Sequence, residues 1–180
     1  MTMTTEIQIP NDVTVTVDGL DARVEGPNGA VERQLWYPGV SVDVEGETVR
    51  IESEQEDRQT NATVGTFESH LRNAFHGVTE GWEYEMEIRY EHFPMQVRVD
   101  GDEVVIDNFL GEQAPRRCAI VGETEVEVDD PVLTVRGPDK EDVGQTVGNV
   151  HETTRINDKD TRVFEDGIYV TEAPGGEVTG

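Results

Sequence analysis

The feature that most constrains the fold is that the sequence repeats itself. VTVTVDGLDARVE is echoed by MQVRVDGDEVVID 82 residues later, and SVDVEGETVRI is echoed by EVEVDDPVLTV at an offset of 84. Thr63-Val64-Gly65 returns as Thr146-Val147-Gly148, 83 residues on. Three segments in one order at nearly one offset indicate an internal duplication. The chain is therefore predicted to fold as two copies of one unit.

Within each copy a strand pattern gives way to a helix pattern. Val13, Val15 and Val17 alternate with polar residues and lead into an Asp-Gly pair, which predicts a strand followed by a hairpin. After residue 56 the apolar residues recur in steps of three and four, which predicts a helix with Gly77 as its C-cap. The residues on that face are Val64, Phe67, Leu71, Phe75 and Val78.

These patterns predict the fold class α+β. We expect two tandem duplicated small domains, each an antiparallel or mixed β-sheet packed with one long α-helix. The first would comprise residues 1–80, the second residues 81–172, and residues 173–180 would form a flexible tail. The second copy continues past its helix into INDKDTRVFEDGIYV, a segment without a counterpart in the first copy. Whatever is particular to this protein is expected there.

The charge is strongly acidic and dispersed. Asp and Glu number 39 against 14 Lys and Arg, for a net charge of −25. Residues 1–80 carry 15 acids and 5 bases, and residues 81–180 carry 24 and 9. A dispersed acidic surface with almost no lysine favours adaptation to very high salt, where screening removes the self-repulsion. By itself, an acidic surface argues against binding to nucleic acid and to anionic membranes.

The residues needed for catalysis or metal binding do not form a constellation. The four histidines lack metal-ligand spacing, Cys118 is the single cysteine, and no phosphate loop or nucleophile elbow occurs. Carboxylate pairs occur throughout the sequence, as is typical of a solvated acidic surface. No single pair stands out, so a hydrolase that uses one of them for catalysis is disfavoured. The sequence predicts no enzyme, cofactor or small-molecule substrate, and a soluble cytoplasmic protein with Cys118 packed as a small apolar residue.

Seven of the nine basic residues of the second half are the candidate binding residues. They are Arg116, Arg117, Arg136, Lys140, Arg155, Lys159 and Arg162. Arginine binds phosphate bidentately and stacks on bases, and Gly167 would let the backbone approach a ligand closely. Arg155 and Lys159 could instead be cations at a helix C-terminus. The alternation of Phe164, Ile168 and Tyr169 favours core packing.

At these residues the chain resembles a known family. IPNDVTVTVDG and VEGPNGAVERQL resemble the opening repeat of the ribosomal protein L6 family of the large subunit, in its archaeal form. The run from Arg162 to Val170, RVFEDGIYV, resembles the C-terminal signature of its archaeal and eukaryotic branch. The resemblance covers residues 6–172. Glu172 and Ala173 depart from it, since the family has a basic residue just after the Tyr-Val pair.

The resemblance implies a two-domain protein that binds large-subunit rRNA mainly through its second domain. The expected place is near the sarcin–ricin loop and the stalk base, where elongation factors act, with neighbouring large-subunit proteins as further partners. The predicted rRNA contacts are the seven candidate bases named above together with Gly167 and Tyr169. In molar salt, such a protein must rely on shape fit and arginine hydrogen bonds more than on net charge.

The alternative function is an acidic β-rich module that binds proteins and has no role with RNA. Its duplication would give two similar binding faces. The turns of the first half, and not the C-terminal segment, would then carry the partner contacts. Deletion of residues 153–172 would leave binding intact under this alternative, whereas it would abolish an rRNA contact made by the second domain.

Overall fold

The computed structural model describes residues 3–156 and 165–174 together with the strand residues 176 and 177. The chain divides into two compact units, Met1–Gly81 and Trp82–Gly180. Each unit has its own cluster of buried apolar side chains. The predicted contacts of Lys159 and Arg162, and the predicted packing of Phe164, lie outside the described residues.

The first unit consists of two three-stranded antiparallel sheets and one helix. The sheets have the strand orders β1-β6-β5 and β2-β3-β4. The elements are β1 (Met3–Gln8), β2 (Thr14–Asp18), β3 (Asp21–Gly26), β4 (Gly29–Gln34), β5 (Val40–Glu45), β6 (Thr48–Ser53) and α1 (Arg58–Thr79).

Helix α1 buries the face that the sequence predicts. Val64, Phe67, Leu71, Phe75 and Val78 all belong to the core of the first unit. The predicted C-cap at Gly77 is wrong, because the helix continues to Thr79 and Gly77 is buried within it. The amides of Glu80 and Gly81 still bond the carbonyl of His76, and the chain leaves the helix at Gly81, whose φ is +87°.

The second unit repeats this plan and extends it. A three-stranded sheet has the order β10-β9-β8, and a five-stranded sheet has the order β11-β12-β7-β13-β14. The elements are β7 (Trp82–Arg89), β8 (Gln96–Asp100), β9 (Glu103–Asp107), β10 (Arg116–Ala119), β11 (Glu125–Asp129), β12 (Val132–Gly137), α2 (Lys140–Thr153), β13 (Gly167–Ala173) and β14 (Gly176–Glu177).

Matching backbone hydrogen bonds confirm the duplication. The amide of Leu35 donates to the carbonyl of Leu20 at 2.9 Å, and the amide of Ile120 donates to the carbonyl of Asp102 at 2.8 Å. Leu20 and Asp102 are 82 residues apart, which is the offset of the sequence repeat. The order β1-β6-β5 returns as β7-β12-β11. The α+β class with two tandem sheet-and-helix copies is therefore confirmed.

Where the structure describes it, the C-terminal segment forms a pair of antiparallel strands, β13 and β14. Glu172 lies opposite Glu177, and Ala173 lies opposite Gly176. The flexible tail predicted for residues 173–180 is thus corrected at residues 173, 176 and 177, which form a short hairpin. Proline and glycine terminate regular structure, but they also favour tight turns, and here Pro174 follows β13 directly within a turn.

Candidate nucleic-acid interface

Comparison of the two units shows where the second has been elaborated. Three residues, 10–12, separate Ile9 from Val13, whereas six, 89–94, separate the equivalent Ile88 from Met95. The link between β9 and β10 spans residues 108–115, whereas only residues 27 and 28 separate β3 from β4. Helix α2 has 14 residues against 22 in α1, and β13 has no counterpart. The two longer links and strand β13 lie together at the C-terminal end of α2.

An arginine, a tyrosine and a histidine form the centre of this region. The guanidinium carbon of Arg89 lies 5.0 Å from the ring centroid of Tyr169, and the ring of His151 meets that of Tyr169 edge-on at 5.9 Å. The Nδ1–H of His151 donates to the carbonyl of Ile168 at 3.1 Å. This bond leaves Nε2 as the acceptor of the neutral ring. Burial raises the pKa of the Tyr169 hydroxyl, which moves its ionisation further from neutral pH.

The strand β13 is held against α2 by a buried threonine. The Oγ1 of Thr154 accepts from the amide of Ile168 at 3.1 Å. Ile168 is fully buried and belongs to the core, as its alternation predicts, while Tyr169 is half-buried. The sequence interpretation of both as core residues is therefore correct for Ile168, and Tyr169 retains a face toward Arg89 and His151.

The two lengthened links pack on each other and expose aromatic rings. The side-chain amide of Asn108 donates to the carbonyl of Pro94 at 3.0 Å. Gly111, at φ +78°, lies under Phe93, because a Cβ there would be 2.9 Å from the ring. Leu110 adopts a left-handed φ of +51°, a strained conformation for a non-glycine residue that persists only where the surrounding structure holds it. Tyr90 is 44% exposed and Phe93 42%.

In the isolated chain, the side chain of Arg116 connects the link before β10 to the C-terminal end of α2. Its Nε and Nη2 donate to both carboxylate oxygens of Glu112, and its Nη1 donates to the carbonyl of Thr153 at 2.7 Å. The guanidinium also lies 4.4 Å from the ring centroid of Phe109. The Arg116 hydrogen bonds lower the pKa of Glu112. These bonds use three of the five guanidinium N–H groups, so a phosphate contact by Arg116 stays a prediction that would use the other two or displace Glu112.

Three other predicted bases lie away from this end. Arg136 pairs with Glu127 at 2.9 Å, and Lys140 lies over the ring of Trp82 at the start of α2. A 14-residue helix spans about 21 Å, so these two are at the far end of the helix from His151. Arg117 follows Arg116 on β10, faces the opposite side of the sheet and lies near Asp100. These three bases therefore do not lie with Arg155 at the C-terminal end of α2, and their rRNA contacts stay predictions.

Arg155 and Gly167 remain at the candidate site. Arg155 is 62% exposed, and its single ion pair within the described residues joins Glu152 at 3.5 Å. It directly follows Thr154, which anchors β13. Gly167 has a packing role, since a Cβ there would be 3.3 Å from the ring of Tyr169. We call the region formed by Arg89, Tyr90, Phe93, Arg155 and Tyr169 the α2–β13 surface.

The sequence patterns did not indicate four of the residues at this candidate site, Arg89, Tyr90, Phe93 and His151. Arg89 and Tyr90 continue the alternating pattern WEYEMEIRY of a strand, and Phe93 lies in a link without a motif. The signal that could have found them is the difference in link length between the two copies. Extra residues that a duplicated fold does not need are candidates for function.

The like charges at the end of β13 give a stability prediction. Glu172 lies opposite Glu85, and burial together with the Glu172 carboxylate raises the pKa of Glu85. A raised pKa in the folded state means that the ionised pair costs stability at neutral pH, a cost removed as pH falls through that pKa. We expect Glu172→Gln to raise the melting temperature at neutral pH in moderate salt, and less so in molar KCl.

The control for this prediction is Glu123→Gln, an exposed substitution in the link before β11. It removes the same formal charge without relieving a cross-strand pair. Thermal unfolding of both variants across pH separates the local repulsion from net charge. An equal shift for the two variants would contradict the role of the Glu85–Glu172 pair.

Among the residues that the structure describes, no cluster of three His, Cys, Asp or Glu side chains could hold a metal ion. Neither α1 nor α2 is long and apolar enough to cross a membrane. What the second unit offers is an exposed surface of aromatic rings and arginines.

The fold defines the class: a duplicated α+β protein whose second copy carries the elaborated surface. The family model described as ribosomal protein L6 matches residues 9–81 and 93–167, one match for each repeat. The chain belongs to the ribosomal protein L6 family. It is a constituent of the large ribosomal subunit, located on ribosomes in the cytoplasm, and not an enzyme.

Relatives from halophilic archaea are similar over nearly the whole chain. The chain is 60% identical over 172 residues to the large ribosomal subunit protein uL6 of Natronomonas pharaonis, covering 96% of this chain and 97% of the relative. The uL6 protein of Haloarcula marismortui is 60% identical over 169 residues, covering 94% and 95%. That of Methanocella arvoryzae, from another archaeal group, is 48% identical over 167 residues, covering 92% and 94%. The predicted salt adaptation agrees with this distribution.

Proposed function

We propose that the chain binds large-subunit rRNA mainly through its second unit, near the sarcin–ricin loop and the stalk base where elongation factors act. The location follows from the family resemblance. The observation that carries the choice of surface is that the additions of the second unit to the repeated fold lie together at the C-terminal end of α2. The repeated core needs none of them to form, as the first unit demonstrates.

The chemistry of the α2–β13 surface suits RNA. Arg155 and Arg89 present guanidinium groups, and Tyr90 and Phe93 present partly exposed rings held on braced links. Unpaired bases stack on aromatic side chains and on guanidinium planes, and arginine bonds phosphate oxygens. Stacking does not depend on counterion release, so it retains its strength in molar salt.

The acidic composition limits how many cations can contact a phosphate. Arg23, Arg50 and Arg136 each contact two carboxylates of their own unit, which leaves little charge for a phosphate. An interface that depended on many surface cations would be screened at high salt. We infer that a small number of arginines fix the register while the rings contribute most of the binding free energy.

A salt titration with a single-arginine variant tests this proposal. We expect Arg155→Ala to weaken binding of the full chain to deproteinised large-subunit rRNA and to reduce the slope of log affinity against log salt by about one. The matched control is Arg72→Ala on α1, which removes an exposed arginine paired with Glu68 in the first unit. Equal behaviour of the two variants would contradict an rRNA contact at Arg155.

The alternative, a protein-binding module without RNA, gives a different outcome. The chain would then show no affinity for deproteinised rRNA at any salt concentration, and its retention on large subunits would depend on other proteins. Neighbouring large-subunit proteins at the stalk base remain expected partners in both cases, because the chain belongs to the subunit.

A further inference from the structure

The first unit carries the two most exposed large hydrophobic side chains among the described residues. Trp36 is 58% exposed and Leu20 is 46% exposed. The hydrogen bond from the amide of Leu35 to the carbonyl of Leu20 brings the two residues to one end of the β2-β3-β4 sheet. Leu35, between them in the core, is buried. We call Leu20, Trp36 and the flanking carboxylates Asp18 and Asp21 the Leu20–Trp36 surface.

The second unit shows that the fold does not require apolar residues here. The matching hydrogen bond from Ile120 to Asp102 makes Asp102 the equivalent of Leu20 and Val121 the equivalent of Trp36. The residue that donates this hydrogen bond is aliphatic and packs on the core in both units, as Leu35 in the first and Ile120 in the second. The outer residues change from Leu and Trp to Asp and Val. An exposed tryptophan that the repeated fold can replace is therefore a candidate contact residue.

The charges around this surface favour a cationic partner. Asp18 and Asp21 are exposed and lie opposite each other where β2 turns into β3, and Asp21 lies opposite Gln34 at the end of β4. The first 80 residues carry 15 acids and 5 bases. This field repels phosphate, which argues against RNA, and attracts lysine and arginine side chains.

We propose that the Leu20–Trp36 surface docks a basic segment of a neighbouring protein of the large subunit. A guanidinium or ammonium group lies over the Trp36 indole, the aliphatic part of the same segment packs on Leu20, and further cations pair with Asp18 and Asp21. Tryptophan is enriched among the residues that dominate interface energy. The proposal rests on the place of the chain in the large subunit and is independent of the rRNA contact by the second unit.

Photo-crosslinking from position 36 identifies the occupant. The full chain, with Trp36→p-benzoylphenylalanine, is assembled into large subunits in molar KCl and irradiated. We expect a crosslink to a protein peptide with Lys or Arg within a few residues of the crosslinked position. A crosslink to rRNA, a crosslink to a peptide without basic residues, or none at all would overturn the proposal. The same photoreactive group at Ser69, on the exposed side of α1, is the control for non-specific labelling.

A second variant uses the repeat as its own control for folding. Leu20→Asp combined with Trp36→Val installs the residue types that the second unit carries at equivalent positions. We expect its melting temperature to stay near that of the wild type, while its occupancy of large subunits in competition with the wild type falls about tenfold. Equal occupancy of a folded double variant would contradict docking at this surface. Affinity for deproteinised rRNA should not change, which separates this proposal from the RNA contact.

Discussion

Gly26→Ala is expected to destabilise the first unit by about 3 kcal/mol, near the upper end of overpacking costs. A Cβ at residue 26 would lie 2.6 Å from the carbonyl oxygen of Val78 and 2.7 Å from its Cγ2. Neither neighbour can move freely, because the same carbonyl accepts from the amide of Asn28 at 2.8 Å and Val78 is fully buried. Asn28 also donates from its side chain to the carbonyl of Gly77. The substitution therefore breaks the junction between the β3–β4 turn and the end of α1.

The matched control is Gly65→Ala, a substitution within α1, the helix against which Gly26 packs. Gly65 is exposed, and a Cβ there meets nothing within 4 Å. We expect this variant to gain up to about 1 kcal/mol, because alanine favours helix over glycine. Chemical unfolding in molar KCl would measure both. Equal stability of the Gly26→Ala variant and the wild type would contradict the described contact between β3 and α1.

The second large effect is expected for Tyr90→Ala combined with Phe93→Ala. Base–aromatic stacking contributes about 1–3 kcal/mol per base, so the loss of two platforms should weaken rRNA binding about a hundredfold. The weakening should be nearly constant from moderate to molar salt, because no cation is removed. Filter binding or fluorescence anisotropy with large-subunit rRNA would measure it.

Conservative variants show whether the loss of affinity comes from the aromatic rings or from a loss of packing. Phe93→Leu preserves packing on Gly111 and removes the aromatic face, so it should lose part of the affinity, whereas Tyr90→Phe should retain it. The Leu20→Asp and Trp36→Val pair removes two exposed apolar residues from the first unit and serves as the control. If both double variants lost the same affinity, the effect would not come from the α2–β13 surface.

The repeat, the helical face of α1 and the hairpins could be predicted from the sequence because they depend on local periodicity. Alternating valines bury one face of a strand, and steps of three and four bury one face of a helix, whatever the partner. Ile168 was likewise placed in the core by its alternation. The end of α1 could not be predicted in this way, since Gly77 is as compatible with a helix interior packed against a sheet as with a C-cap.

The candidate site could be predicted only in part, because base count does not reveal which bases are free. Arg116 and Arg136 look alike in sequence, yet one braces the end of α2 through Thr153 and the other pairs on β12 with Glu127. In so acidic a chain, carboxylates occupy most guanidinium groups. Tyr90 and Phe93 were not predicted because they lie in an insertion, which is found only by comparing the lengths of equivalent links in the two copies.

Directed cleavage of rRNA from a tethered iron chelate tests the central claim most directly. Cys118, the single cysteine, is changed to Ala so that the label reacts only at the newly introduced cysteine. A new cysteine then replaces either His92, beside Tyr90 and Phe93, or Glu68 on α1, and each labelled chain is assembled into large subunits. We predict that the chelate at position 92 cleaves rRNA near the sarcin–ricin loop and that the chelate at position 68 does not. Cleavage near that loop from position 68 alone, or no rRNA cleavage from position 92, would contradict binding through the second unit.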